Sequence, residues 1–133
     1  MGQPFVTLRV LLVAADAGLR ALLRDCLGDA LGRTAFTEAT EADEALQELR
    51  AGRWDLVLLD LRLPHTNGLV TLKWLKQVRP EVPVVVVTGL PANPYAGAAE
   101  RAGAAGFVTR DQARERVAGL VRALKARRAS AGV

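Results

Sequence analysis

The sequence predicts an α/β domain in which a parallel sheet is covered by helices on both faces. Short continuous apolar runs alternate along the chain with longer segments whose apolar residues recur at helical spacing. A strand buried on both faces is an uninterrupted apolar run, and alternation with helices is typical of a parallel sheet. The chain has 133 residues, enough for one hydrophobic core but not for two. We therefore expect a single domain over residues 1–133.

Five strands and five helices are predicted, and each strand leads into a helix. The strands are expected at residues 8–13, 34–38, 55–60, 82–88 and 105–108, and the helices at 17–31, 41–51, 68–78, 94–102 and 112–127. Runs of apolar and β-branched residues support the strands. The first helix is supported by an apolar stripe of Leu19, Leu23, Cys26, Leu27 and Ala30.

The boundaries and faces of the later helices follow from single residues. Asn67 is expected to cap the third helix, in which an inward leucine stripe turns Trp74 toward the side or outward, either exposed or folded against its own helix. The fourth helix is the weakest element because two prolines and Gly97 crowd it. The last helix has a core-facing stripe of Ala113, Val117, Leu120, Val121 and Leu124. Residues 127–133 are small and polar and are expected to form a flexible tail.

Composition narrows the class of protein. The net charge is +4, and basic residues crowd the last helix, where we interpret them as a solvated face rather than a nucleic-acid interface. No apolar run approaches the roughly 20 residues that span a bilayer, and the start lacks a signal-peptide pattern. The single cysteine excludes an internal disulfide. We expect a soluble cytoplasmic protein that contacts neither membrane nor nucleic acid directly.

Three predicted strands end in chemically distinctive side chains. Asp60 ends one apolar run, Thr88 ends the next, and Arg110 follows the last. In open α/β sheets, ligands and chemistry collect at the carboxyl ends of the strands. The sequence therefore brings an acid, a hydroxyl and a cation to one edge of the sheet.

At these residues the sequence resembles the receiver domain of two-component response regulators. The resemblance rests on four stretches that cover nearly the whole chain: VLLV at 10–13, WDLVLLDLRLPHTNG at 54–68, VVVVTG at 84–89 and AGAAGFVTRD at 102–111. It implies a flavodoxin-like fold with the five strands in the order 2-1-3-4-5. It also implies that Asp60 is at the phosphoacceptor position and that the Thr88 hydroxyl contacts the phosphoryl group. Phe107 matches the aromatic switch residue, and Arg110 stands where a lysine is usual.

One departure from the receiver pattern concerns the metal. Receivers carry two acidic residues directly after the first strand, and these hold a magnesium ion; here the two positions are Ala14 and Ala15. Asp16 follows one place later, where we expect it to cap the first helix rather than to serve as a displaced metal ligand. We therefore expect no metal site and no cofactor. Arg110 is predicted to pair with Asp60 directly or through one water, with Arg62 as the next candidate partner.

These observations favour a degenerate receiver, a regulatory protein-interaction module with little or no magnesium-dependent phosphorylation. The alternative is a working receiver that a histidine kinase phosphorylates on Asp60, with magnesium held by Asp16 or water. A flavodoxin-like cofactor domain ranks low because the loop after the first strand has only one late glycine, Gly18. Nothing in the chain predicts a turnover enzyme.

The expected partners are proteins. They are a histidine kinase or another signalling protein, and a second copy of this chain bound through residues 94–102 and 112–127. That face is the usual one in receivers. Trp74 is a second candidate contact.

Overall fold

The computed structural model describes residues 7–28 and 32–131, with side chains as far as 127. The strands of its main sheet are β1 (Leu8–Val13), β2 (Thr34–Ala39), β3 (Leu56–Leu59), β4 (Val84–Thr88) and β5 (Gly106–Thr109). The helices are α1 (Ala17–Gly28), α2 (Ala42–Ala51), α3 (Gly68–Val78), α4 (Ala92–Arg101) and α5 (Ala113–Ala131). The predicted continuation of the first helix over 29–31 lies outside the described residues.

The five strands are parallel and lie in the order β2-β1-β3-β4-β5, which confirms the predicted topology. Successive residues of a strand face opposite sides of a sheet. Val10 and Leu12 of β1 therefore join the core under α1 and α5, whereas Leu11 and Val13 join the core under α2, α3 and α4. The alternation continues through β3 and β4, so both faces of the sheet are buried. No described helix is long and apolar enough to cross a bilayer.

Several element boundaries differ from the prediction, and the largest differences lie in the last third of the chain. α5 runs to Ala131, beyond its predicted end at residue 127, and the last two residues of the predicted tail, 132–133, lie outside the described residues. A short 3-10 helix, Arg110–Gln112, comes between β5 and α5. α4 begins at Ala92 rather than at residue 94, but Asn93 has non-helical dihedral angles of −101° and 121°. This interruption lies among the prolines that made the fourth helix the weakest prediction.

A small hairpin between β3 and α3 was not predicted. Residues Arg62–Leu63 pair antiparallel with Thr66–Asn67, and the tip residue His65 has a positive φ of 64°. The hairpin folds the chain back so that Gly68 lies against the backbone of Leu61, where a Cβ atom would overlap the Leu61 carbonyl oxygen and Cα. Asn67 then caps α3, as predicted, by accepting a hydrogen bond from the N–H of Leu69 at 2.8 Å.

The two tryptophans occupy different environments. Trp74 is 40% exposed beside Val70, which is 37% exposed, so the exposed alternative of the prediction is confirmed. Leu72 and Leu75 on the opposite side of α3 are fully buried. Trp54 is buried, and its indole N–H donates to the carbonyl oxygen of Glu48 at 2.8 Å. Trp54 therefore has a structural role, whereas Trp74 is free to contact a partner.

The other helix faces follow the apolar stripes. In α5, Ala113, Val117 and Val121 are buried. Cys26 in α1 is half-buried rather than fully buried, and burial raises the pKa of its thiol. A raised thiol pKa lowers the fraction of reactive thiolate.

Candidate functional site

The carboxyl edge of the sheet brings Asp60 and Thr88 into direct contact. Asp60 follows β3 and is 6% exposed, and Thr88 ends β4, the neighbouring strand, and is fully buried. The Thr88 hydroxyl donates to Oδ1 of Asp60 at 2.7 Å. The two side chains are neighbours because β3 and β4 are adjacent and parallel, with Leu59 opposite Val86.

One oxygen of the Asp60 carboxylate accepts hydrogen bonds, and the other has no donor among the described residues. Its Oδ1 also accepts the backbone N–H of Arg62 at 3.0 Å, and its own backbone N–H donates to the carbonyl oxygen of Val13 at 2.8 Å. Within the described part of the chain, no donor contacts Oδ2. The carboxylate is thus oriented by its strand neighbours, with one oxygen left to face an incoming group.

Arg110 does not pair with Asp60, so the predicted direct ion pair is wrong. Its guanidinium Nη1 instead donates to Oδ2 of Asp16, on the loop between β1 and α1. Arg62, the next candidate, contacts Asp60 through its backbone N–H, and its side chain is exposed. The prediction failed because it compared only the strand ends, whereas Asp16 on a neighbouring loop offers a more exposed carboxylate that is easier to pair with.

Asp16 uses both carboxylate oxygens within the protein. Oδ1 accepts the backbone N–H of Gly18 at 2.8 Å, which makes Asp16 the cap of α1 as predicted, and Oδ2 accepts Arg110. The hydrogen bond from Arg110, followed by that from Gly18, holds the pKa of the Asp16 carboxyl below its ordinary value of 3.8. Because the folded-state pKa is lowered, these contacts favour the folded state above pH 3.8 and lose that contribution as the pH falls through the lowered pKa.

Replacing Arg110 by glutamine is expected to raise the pKa of Asp16 towards 3.8, because the guanidinium is the largest cause of the lowering. An NMR pH titration of the Asp16 carboxyl carbon measures this directly. Arg62→Gln is the matched control, since it removes an exposed arginine at the same edge that does not touch Asp16, and it should leave the pKa unchanged. An identical Asp16 pKa in the wild type and in Arg110→Gln would contradict the contact.

The two alanines that were expected at the metal-binding positions of a receiver directly follow β1. Ala14 is buried and Ala15 is exposed, and neither offers a side-chain oxygen. A second arginine lies beside them: Arg20 donates through Nη1 to the carbonyl oxygen of Ala14 at 2.6 Å and pairs through Nε with Glu38. This corner thus holds two arginines, Arg20 and Arg110, each of which is paired with one acid.

The sequence did not identify Arg20 as part of this corner. Its contacts to Ala14 and Glu38 join different elements, α1, the end of β1 and β2, and no local pattern connects them. The sequence offered one signal for this contact, the charged residue Glu38 within the short second strand. A charged residue in a half-buried strand needs a partner.

Phe107 lies on β5 opposite Val86 and is half-buried. It packs against the core under α4, in a cluster that includes Leu90 and Tyr95. It also lines a shallow groove of about 270 Å³ between α4 and β5. Core packing is therefore observed for Phe107, and its role as a switch stays a prediction.

A comparison with known protein families agrees with this geometry. The family model of the response regulator receiver domain matches residues 10–122. The chain belongs to the response regulator receiver family. Receivers act in two-component signal transduction and interact with histidine kinases and partner domains, which places the chain in that class of signalling protein.

Individual relatives support the assignment. The chain is 29% identical over 117 residues to the response regulator UvrY of Escherichia coli O6:H1 (strain CFT073), covering 88% of this chain and 54% of UvrY. It is 31% identical over 103 residues to the response regulator GacA of Pseudomonas viridiflava, covering 77% of this chain and 48% of GacA. This receiver thus spans about half the length of these relatives.

A solved structure gives the same picture of the fold. A LuxR-family two-component response regulator from Aurantimonas sp. SI85-9A1 superposes with a TM-score of 0.79 at 27% identity. The superposition covers 91% of this receiver and 87% of that chain.

Proposed function

We propose that this protein is a degenerate receiver, a signalling module that regulates a partner protein through contact and not through magnesium-dependent phosphorylation of Asp60. The observation that carries the proposal is the shortage of available carboxylate oxygens directly after β1. Ala14 and Ala15 replace the pair that the family uses, and both oxygens of Asp16 are engaged, by Gly18 and by Arg110. It is not proposed to be a turnover enzyme.

The residues present do not fit a magnesium ion. Magnesium requires near-octahedral oxygen coordination and is seldom held by one carboxylate. The described residues contain no group of three or more histidine, cysteine or acidic side chains that could hold a metal. Phosphorylation brings a carboxylate to an anionic donor, and a divalent ion normally offsets that repulsion. Without such an ion, phosphoryl transfer to Asp60 is strongly disfavoured.

Parts of the receiver pocket are nevertheless retained. The hydrogen bond between Thr88 and Asp60 links β4 to β3 at the site, and the ion pair between Arg110 and Asp16 links the start of α5 to the start of α1. Two such contacts across the carboxyl edge favour one arrangement of the surrounding loops. We propose that the protein binds its partner in this arrangement of the loops.

Exposure to a small acyl phosphate tests the proposal. We expect that incubation with the phosphodonor and magnesium leaves the intact mass unchanged, because the pocket lacks the ion that offsets charge repulsion. Intact-mass spectrometry at neutral pH measures this, with Asp60→Asn as the control for modification elsewhere. Magnesium-dependent addition of one phosphoryl group that Asp60→Asn abolishes would favour the alternative, a working receiver phosphorylated by a histidine kinase.

We further propose that the chain associates with a second copy or a partner protein through α4 and α5. α4 exposes a smooth surface, since Ala96, Gly97 and Ala98 are small and half-buried. Several arginines are exposed on α5, with Arg116 and Arg127 among them. Trp74 and Val70 on α3 form a second apolar contact.

Analytical sedimentation of three proteins tests this surface. We expect the wild type and Asp60→Ala to associate equally, because association does not depend on a phosphoryl group. We expect Tyr95→Asp to associate more weakly, since it adds a charge to the face. Tyr95 also packs against the core, so thermal unfolding must show that the variant is folded, and Ala98→Arg is a second test. Weaker association of Asp60→Ala, or full association of both surface variants, would contradict the proposal.

A further inference from the structure

A second concave surface lies at the edge of the sheet opposite to Asp60. Here β1, β3 and β4 begin, and the residues before these three adjacent strands surround a cleft of about 500 Å³. Asp55 lines this cleft and directly precedes β3, whereas Asp60, five residues later, directly follows that strand. An extended strand rises about 3.3 Å per residue, so the two sites are roughly 16 Å apart. The cleft is therefore separate from the phosphoacceptor pocket.

The charge of the cleft is positive. Three arginines line it, Arg9, Arg53 and Arg79, against two acids, Asp55 and Glu81. Arg53 is exposed and makes no ion pair within the described part of the chain. Arg79 and Glu81 are 3.7 Å apart, with side chains 34% and 62% exposed, and an exposed pair at that distance holds its partners weakly. An anion can therefore bind here without breaking a strong ion pair.

The remaining arginines are already held in place. Arg79 donates through Nη2 to the carbonyl oxygens of Arg50 and Gly52, at 3.3 Å and 3.2 Å. The Arg9 guanidinium lies 5.4 Å from the centre of the Trp54 ring, which is itself buried. Side chains that are ordered before binding lose less conformational entropy on binding. The cleft thus combines positioned guanidinium groups with Arg53, which has no partner among the described residues.

We propose that this cleft binds a small molecule through a phosphate group, with Arg53 and Arg79 as the contacting residues. The planar guanidinium of Arg53 can donate two hydrogen bonds to a phosphate, and Arg79, whose Nη2 already donates to Arg50 and Gly52, can donate through Nη1. The volume of the cleft falls within the range of about 300–1,000 Å³ that small-molecule sites occupy. The carboxylate of Asp55 repels a bound phosphate only in part, because its Oδ2 accepts the backbone N–H of Arg9 at 2.8 Å.

Titration with two probes tests the site. Inorganic pyrophosphate and a nucleoside monophosphate are added at constant ionic strength, and binding is measured by calorimetry. In a Trp74→Phe background, Trp54 is the one remaining tryptophan, and its fluorescence reports whether binding occurs at the cleft. We expect saturable binding of at least one probe. Equal affinities assign the site to the phosphate group alone, and tighter binding of the nucleotide assigns it to nucleotides.

The arginine variants distinguish a site from general attraction to a basic protein. Arg53→Gln is expected to lower the affinity about tenfold, because it removes a charge-assisted contact without touching the core. Arg127→Gln removes the same charge from the exposed face of α5 and should change the affinity less than about twofold. Absence of saturable binding of both probes, or equal losses in the two variants, would overturn the proposal. These results do not depend on whether Asp60 accepts phosphate.

Discussion

Replacing Ala14 and Ala15 together by aspartate is expected to create a magnesium site beside Asp60. The reason is coordination: the change supplies two carboxylates beside Asp60, whose Oδ2 has no donor among the described residues. In the absence of metal the variant should be less stable than the wild type. Ala14 is 1% exposed, and a carboxylate buried without a partner is costly.

Thermal unfolding with and without magnesium measures this gain. A ligand present at ten times its dissociation constant adds about 1.4 kcal/mol to the free energy of unfolding. For a domain of this size, that corresponds to a rise in Tm of roughly 5 °C. The double variant Ala14→Asn with Ala15→Asn is the matched control, since it has nearly the same shape without the charge. A folded double-aspartate variant with no magnesium-dependent rise would contradict the proposal that the two alanines are what weakens magnesium binding.

Gly68→Ala is expected to destabilise the fold by about 3 kcal/mol, at the upper end of the cost of overpacking. A Cβ atom at Gly68 would overlap the backbone of Leu61, and its distance to the Leu61 carbonyl carbon would be 2.6 Å. Backbone cannot turn away as a flexible side chain can. The substitution therefore disturbs the segment that also orients the Asp60 carboxylate through the N–H of Arg62.

Chemical denaturation compares this variant with a glycine in open space. Gly119 lies in α5, and a Cβ atom there meets nothing within 4 Å, so Gly119→Ala should stabilise the protein by about 0.5–1 kcal/mol. The two variants make the same chemical change with opposite expected signs. A loss below about 1 kcal/mol for Gly68→Ala would contradict the close packing of the hairpin against α3.

The topology was predictable because buried parallel strands are nearly continuous apolar runs. β1, β3 and β4 are each almost wholly apolar, and the prediction placed each of them within two residues of its observed bounds. The contact between Asp60 and Thr88 also follows, since the carboxyl ends of adjacent parallel strands meet at one edge. Such patterns are local in sequence or follow from strand order alone.

The partner of Arg110 was not predictable in the same way. Arg110 and Asp16 are 94 positions apart, and several acids and arginines compete for contact at the same edge. Which pair forms depends on side-chain reach and exposure after the loops have folded. The hairpin after Asp60 was missed for a related reason, because strands of two residues are too short to show a period.

A magnesium titration of the unaltered protein, followed by NMR, tests the central claim most directly. The backbone amides of Ala14, Ala15, Asp60 and Thr88 lie at the carboxyl ends of β1, β3 and β4, where the resemblance to receivers implies the metal site. We predict that millimolar magnesium leaves their chemical shifts without a saturable change. Saturable shifts at these amides, lost in Asp60→Asn, would show that the pocket binds magnesium without the acidic pair and would contradict the assignment as a degenerate receiver.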